Sequence, residues 1–270
     1  MSDFLAGTLT TVALCWRIER RDGIAIGLTD HDHDLVIDGL LHRAAPGMTP
    51  SAITRTDTLE PDTMDVMGAL SSAAITEDDL LAGRWDGARV TIFAVDWTGN
   101  EGRVDLGEGT IGAVETRDTG FAAELRGASA VLERPVVEQT SPECRAELGD
   151  SRCRVPLAGR RHIVRVTAAE GSRLTLDVAE PVVGAYALGL LRWIGGANGG
   201  LASAIMASDG NTVTLRSPPS LAVTPGTLVE LIEGCDKSLA TCAARFGNAA
   251  NFRGEPYLPG IDLLTRYPGA

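Results

Sequence analysis

Three Asp-Gly pairs, Asp22-Gly23, Asp38-Gly39 and Asp209-Gly210, each sit between two runs of apolar and β-branched residues. No other feature constrains the fold as much. A tight hairpin turn needs positive φ, which glycine adopts without steric cost and aspartate tolerates by bonding its own backbone. The flanking runs are patterned as strands. Residues 9–20 alternate around Val12, Leu14, Trp16 and Ile18, and residues 24–28 follow the first pair. Residues 35–37 and 40–42 flank the second pair, and 200–208 and 211–217 flank the third.

Further strands are expected at 64–68, 88–97, 109–117, 120–126, 162–168, 173–178, 187–194 and 227–232. Residues 44–60 read as a loop with a short strand. Helices are few. One is expected over 76–83, with Thr76 as N-cap, acids in its first turn and Gly83 ending it. Others are expected over 128–133 and 238–246. Many short strands spaced by roughly 8–12 residues indicate barrels or sandwiches. The expected class is mainly β, with two β-barrel-like domains, short helices and an irregular cysteine-bearing C-terminal segment. Residues 1–155 would form an N-terminal β-rich domain, and 156–270 a second that completes a cysteine site. Glycine (31) and proline (13) are frequent, as so many turns require, and 44% apolar residues make the chain globular.

Five cysteines occur. Cys15 lies inside an apolar alternation and reads as core. The other four form two pairs in polar, irregular stretches: eight residues separate Cys144 from Cys153, and six separate Cys235 from Cys242. No basic n-region and long apolar run opens the chain, and no stretch of about 18 apolar residues could cross a membrane. Cytoplasmic synthesis is therefore expected. Thiols stay reduced there, so paired cysteines read as ligands before disulfides. The spacing is longer than that of zinc ribbons and knuckles, and a cubane iron–sulfur cluster tolerates it better. Zinc, two disulfides and unlinked thiols remain alternatives. Arg145, Arg152, Arg154 and Lys237 flank the thiols and could offset thiolate charge.

After Cys242 the chain reads Phe246-Gly247-Asn248, then Asn251-Phe252-Arg253-Gly254-Glu255-Pro256-Tyr257-Leu258-Pro259-Gly260. This resembles the C-terminal motif of phage and gene transfer agent tail proteins, in which a cysteine pair precedes F-x-N-x-x-N-F and G-x-P-x-x-P-G. Near the start, Thr29-Asp30-His31-Asp32-His33-Asp34-Leu35 resembles the T-D-H-D-x-D-L segment of the same family. The two motifs lie about 200 residues apart, in the family's order. The chain is thus similar to the tail hub, or baseplate, proteins of gene transfer agents and phages. Its C-terminal part is related to minor tail protein L of lambda-like phages.

The resemblance implies a homotrimeric, β-barrel hub at the tail tip. It would link the distal tail protein to a large tip or fibre protein, and DNA would pass through without specific binding. Assembly would occur in the cytoplasm, and the final location would be the extracellular particle. The resemblance also ranks an iron–sulfur cluster, of the 4Fe–4S type, ahead of zinc, with Cys144, Cys153, Cys235 and Cys242 as ligands. The residues allow a reading of the loop itself. Asn248 and Asn251 can bond nearby backbone, Gly247 and Gly254 allow positive φ, and Pro256 and Pro259 stiffen the exit after Phe252.

The net charge of -12 disfavours direct DNA binding and suits a surface that duplex slides past, although solubility is the simpler explanation. Aromatics, at 4%, are too few for a stacking platform. In an extended Asp30–Asp34 segment the two histidines would face one way and the aspartates the other. That leaves His31 and His33 without a third ligand, so a strand-end turn held by aspartates is the better reading. His42 and His162 look isolated. No GxSxG, HExxH, P-loop or strand-to-helix GxGxxG occurs, and residues 195–200 read as a glycine-rich turn. A pairing of Cys15 with His31 would lack a peptidase signature. The expectation is a structural protein rather than an enzyme. The alternative is a soluble redox or binding protein, holding zinc or iron–sulfur and unrelated to virions.

Overall fold

The Asp38-Gly39 turn has the backbone its sequence demands, with φ of 51° at Asp38 and 76° at Gly39. The computed structural model describes residues 11–44, 49–50, 63–69, 75–99, 102–117, 120–127 and 137–258. The helix expected over 128–133 and most of the loop expected over 44–60 lie outside these residues. The turn joins β3 (Leu35–Ile37) to β4 (Leu40–Ala44), with Ile37 opposite Leu40. At Asp22-Gly23 the loop is one residue longer: the Arg20 amide donates to the Ile24 carbonyl at 2.8 Å, and Gly23 takes φ of 88°. The third pair is displaced. Asp209 still pairs with Thr212, so Gly210 and Asn211 make the turn, with Gly210 at φ of 57°. A turn that needs positive φ only at its first central residue puts glycine there. Gly171-Ser172, between Glu170 and Arg173, repeats this chemistry.

The chain divides into two compact units, Met1–Val136 and Val137–Ala270. The first holds β1 (Val12–Glu19), β2 (Ala25–Thr29), β3, β4, β5 (Thr49–Pro50), β6 (Thr63–Ala69), α1 (Glu77–Leu81), β7 (Arg89–Asp96), β8 (Arg103–Arg117) and β9 (Gly120–Arg126). Its strands form one nine-stranded sheet in the order β3-β4-β2-β1-β7-β8-β9-β6-β5. Both faces of its centre are covered. Trp16, Ile18, Leu28, Val90 and Ile92 pack on one face with Leu80 of α1 and Trp85. Ala13, Cys15, Phe93 and Val95 pack on the other with Ile37. Cys15 is fully buried, as a core residue should be, but on the face opposite Trp16 and Ile18, and burial pushes its thiol pKa up. Thr76 caps α1, its hydroxyl accepting from the Asp79 amide at 3.2 Å.

The second unit holds β10 (Arg161–Glu170), β11 (Arg173–Leu176), β12 (Leu190–Trp193), β13 (Ala202–Asp209), β14 (Thr212–Leu215), β15 (Leu228–Ile232) and α2 (Leu239–Ala244). These six strands close into a barrel, β10-β11-β14-β13-β12-β15. Among the described residues only this unit closes. Among the described residues no pairing joins β3 to β5, so the first unit's strands form an open sheet. Alternate strand residues fill the barrel: Val164, Val166, Leu174, Leu191, Trp193, Ile205, Val213, Val229 and Leu231. Trp193 has its indole N–H satisfied by Ser203 Oγ at 3.0 Å. No helix among the described residues is long and apolar enough to cross a membrane.

One close approach fixes how the chain leaves the barrel. A Cβ on Gly234 would lie 1.8 Å from the Ala187 carbonyl oxygen, and one on Gly189 would lie 2.2 Å from that of Ile232. The two backbones cross in contact just before Cys235. Gly234→Ala should therefore lower the unfolding free energy by about 3 kcal/mol or more. Gly195→Ala, where an added Cβ meets nothing within 4 Å, should change it little. Chemical denaturation of the two variants measures the difference.

Candidate metal centre

All four paired cysteines lie in the second unit, and all are free thiols. The first pair is carried by a stretch with no strand or helix, so side chains and distant backbone hold its peptide groups. Asp150 does this locally. Its carboxylate accepts from the amides of Cys153 (2.6 Å), Arg152 (2.9 Å) and Glu147 (2.9 Å). These bonds, led by that from Cys153, hold its pKa below the ordinary carboxylate value.

The second pair is placed by regular elements. Cys235 follows β15, and Cys242 sits on α2, whose N-cap Ser238 accepts from the Thr241 amide at 3.1 Å. Glu233, nearly buried, binds Arg160 at 2.7 Å and Arg245 at 2.8 Å. Both guanidinium groups lie over the Phe246 ring, at 4.9 and 5.0 Å. This ties the end of α2 to the barrel.

Long-range hydrogen bonds join the two pairs. The Cys144 amide donates to the Lys237 carbonyl at 2.9 Å, and Lys237 Nζ donates to the Ala146 carbonyl at 2.6 Å. The loop after α2 then touches the cysteines in turn. The Asn248 amide donates to the Cys242 carbonyl at 2.9 Å, and Asn248 Nδ2 donates to the Cys153 carbonyl at 2.7 Å. The same Nδ2 lies 3.7 Å from Cys153 Sγ. Asn251 Nδ2 donates to Asn248 Oδ1 at 2.7 Å and orients it. The Arg253 amide donates to Cys144 Sγ at 3.4 Å.

The asparagines were expected to hold only a local turn. Asn248 instead bridges to a residue 95 positions away. Gly247 has the positive φ expected of it (58°), but Gly254 does not. Gly254 is there for space, since a Cβ would lie 2.5 Å from the Glu143 carbonyl oxygen. Pro259 and Gly260 lie outside the described residues.

Sulfur charge is felt across the group. Burial raises the Cys242 thiol pKa, and the charges of Cys235, Cys144 and Cys153 raise it further. Burial also raises Cys235, with Lys237 opposing. Without a cation the thiols resist ionising together, and a bound metal reverses that balance. Four thiols in one unit, linked by these hydrogen bonds and with amide donors aimed at two sulfurs, form a donor set that fits a soft metal or an iron–sulfur cluster. Elsewhere, His42 is buried edge-on to Phe93, and the half-buried His162 lies edge-on to Tyr186. Among the described residues neither belongs to a cluster of metal-binding side chains.

Glu255 locks the loop from its far end. Its amide donates to the Ser141 carbonyl at 2.7 Å, and its carboxylate accepts from the Ser141 amide at 2.9 Å. Arg145 clamps the carboxylate with two bonds, at 2.6 and 2.8 Å. These contacts, Arg145 first, pull the Glu255 pKa from 4.5 down to about 2. A depressed carboxylate pKa stabilises the fold above its unfolded value, and the contribution fades as pH falls toward the folded value. Protection of the Ser141 amide against hydrogen exchange, referenced to intrinsic rates, should thus fall between pH 4.5 and about 2. In Glu255→Gln it should be low already at neutral pH.

Comparison with known proteins agrees with the motifs. Residues 1–156 match the family model described as "Baseplate hub protein, N-terminal attachment domain". Residues 184–262, which carry Cys235, Cys242 and the loop, match "Phage conserved hypothetical protein BR0599". A comparison with curated proteins finds no match. Among solved structures, a chain from the "Virion of native gene transfer agent (GTA) particle" is 36% identical. The similarity covers 98% of this chain and 94% of that one, with a TM-score of 0.89. The family and particle matches make this chain a structural virion component rather than an enzyme, and by the match over its N-terminal 156 residues it belongs to the baseplate hub protein family.

Proposed function

We propose that the chain is the hub of a phage-like gene transfer agent tail tip, connecting the distal tail protein to a larger tip or fibre protein. The observation that carries this reading is the similarity of nearly its whole length to a chain of a gene transfer agent particle. In this reading three copies form the hub, DNA exits through it, and the finished protein resides in the extracellular particle. The charge distribution supports a DNA path beside the first unit. Met1–Val136 carries 23 acidic against 11 basic residues, whereas Val137–Ala270 carries 13 of each. The whole net charge therefore belongs to the attachment unit, where a duplex would be repelled rather than held. Electron microscopy of particles carrying a tagged copy should place the tag at the distal end of the tail. A tag on the head or neck would overturn the reading.

The second part of the proposal is a 4Fe–4S cluster on Cys144, Cys153, Cys235 and Cys242. The sequence spacing of the two pairs, longer than that of zinc ribbons and better tolerated by a cubane with its irons at separate corners, and the resemblance to tail-tip proteins support it over zinc. The cluster would make the irregular stretch and the loop one rigid body beside the barrel. Protein purified without oxygen should be coloured and contain iron and acid-labile sulfide. Cys242→Ser should lose most of that iron, whereas Cys15→Ser should keep it, because Cys15 is buried in the other unit and bonded to Thr29. Colourless, iron-free protein with one zinc ion per chain would sink the cluster.

A further inference from the structure

The Asp30–Asp34 segment does not alternate as an extended strand would, because residues 30–33 form a bend between β2 and β3. The bend divides the aspartates into two jobs. Asp30 Oδ1 accepts from the Leu14 amide at 2.7 Å, and Asp34 Oδ1 accepts from the Ala44 amide at 2.8 Å. These two hold the strand ends, as a structural turn requires. Asp32 bonds neither strand. Its Oδ1 lies 3.2 Å from His31 Nδ1 and 2.8 Å from His33 Nδ1. The third ligand that the histidines lacked in an extended segment is therefore the residue between them.

From this geometry we infer that His31, Asp32 and His33 form a surface site for a borderline divalent transition metal such as zinc. The donor atoms of all three lie within 4.8 Å of one another. In a tetrahedral zinc site with bonds of about 2.0–2.1 Å, neighbouring nitrogen and oxygen donors stand about 3.3 Å apart. The two measured separations are close to that already. Two imidazoles and a carboxylate suit zinc and its neighbours rather than calcium or magnesium, which take oxygen ligands.

The surroundings prepare the site. His31 Nδ1 lies 3.1 Å from the His33 amide and 3.2 Å from the His33 carbonyl oxygen, so the ring is held in place whichever tautomer it takes. A metal would replace those contacts at that nitrogen. The His31 ring is held against Trp97, centroid to centroid 4.9 Å, and the His31 amide is bonded to Thr29 Oγ1 at 3.2 Å. His33 and Asp32 are exposed, so an ion reaches them without rearrangement of the core. Three protein ligands leave a fourth position open to water.

The test is calorimetric titration of the full-length protein with Zn²⁺, beside His33→Ala and the conservative Asp32→Asn. The cysteines contribute equally to all three proteins, so the difference reports the loop. Wild type should bind one more zinc ion per chain than His33→Ala, and Asp32→Asn should weaken that binding about tenfold or more. Equal stoichiometry and affinity in the three proteins would overturn the site. A second readout uses Cu²⁺, a quencher of indole emission. Quenching should be strong in wild type and much reduced in both His33→Ala and Trp97→Phe. Quenching that survives both changes would count against metal binding beside Trp97.

Discussion

A stretch without strand or helix has no ladder to satisfy its backbone, and residues 137–160 face that constraint while carrying two of the four paired cysteines. The solution is a set of hydrogen bonds that cross some hundred residues of sequence. Asn248 reaches the Cys153 carbonyl, Lys237 receives the Cys144 amide and Glu255 pairs with Ser141. None of these exists unless the barrel has first brought the end of β15 near residue 160. The buried Glu233, shared by Arg160 and Arg245, marks that junction. The cysteine centre is therefore a consequence of the barrel as much as of the cysteines. The close crossing at Gly189 and Gly234 sets the path into it.

Local chemistry was readable at several places where one residue decides the backbone. Asp38-Gly39 and the N-cap Thr76 stand where the sequence places them, since each acts on atoms within a few positions. Reading failed where the deciding contact was distant. Nothing around Gly254 announces that Glu143 will press against it. Asn248 looked like a turn residue because its true partner lies far upstream. Asp32 looked like one of three equivalent aspartates, and only the bend separates it from Asp30 and Asp34. The sequence suggests the four cysteines as a group, but the contacts around them, with Asp150 behind Cys153 and Arg253 over Cys144, belong to tertiary structure.

The stretch carrying the first cysteine pair has a double allegiance. By family it falls within the N-terminal attachment domain, whose match runs to residue 156. By packing it belongs to the second unit, which begins at Val137. Ala146, Cys153 and Val155 form a small apolar cluster with Phe246 from beyond α2, and that is what draws the stretch across. A sequence boundary and a packing boundary need not coincide when an apolar cluster recruits residues from both sides.

The barrel's interior is solid. Trp193, Leu191, Leu231 and their neighbours leave no bore, as expected for a six-stranded barrel closed around side chains. A duplex could not thread such a barrel. Any passage made from this unit has to run between chains, where its width follows from the number of copies and the angle at which they meet. The aperture would then be a property of the ring and not of the fold. It could be widened or narrowed by changes at subunit faces that leave every strand pairing in the barrel untouched.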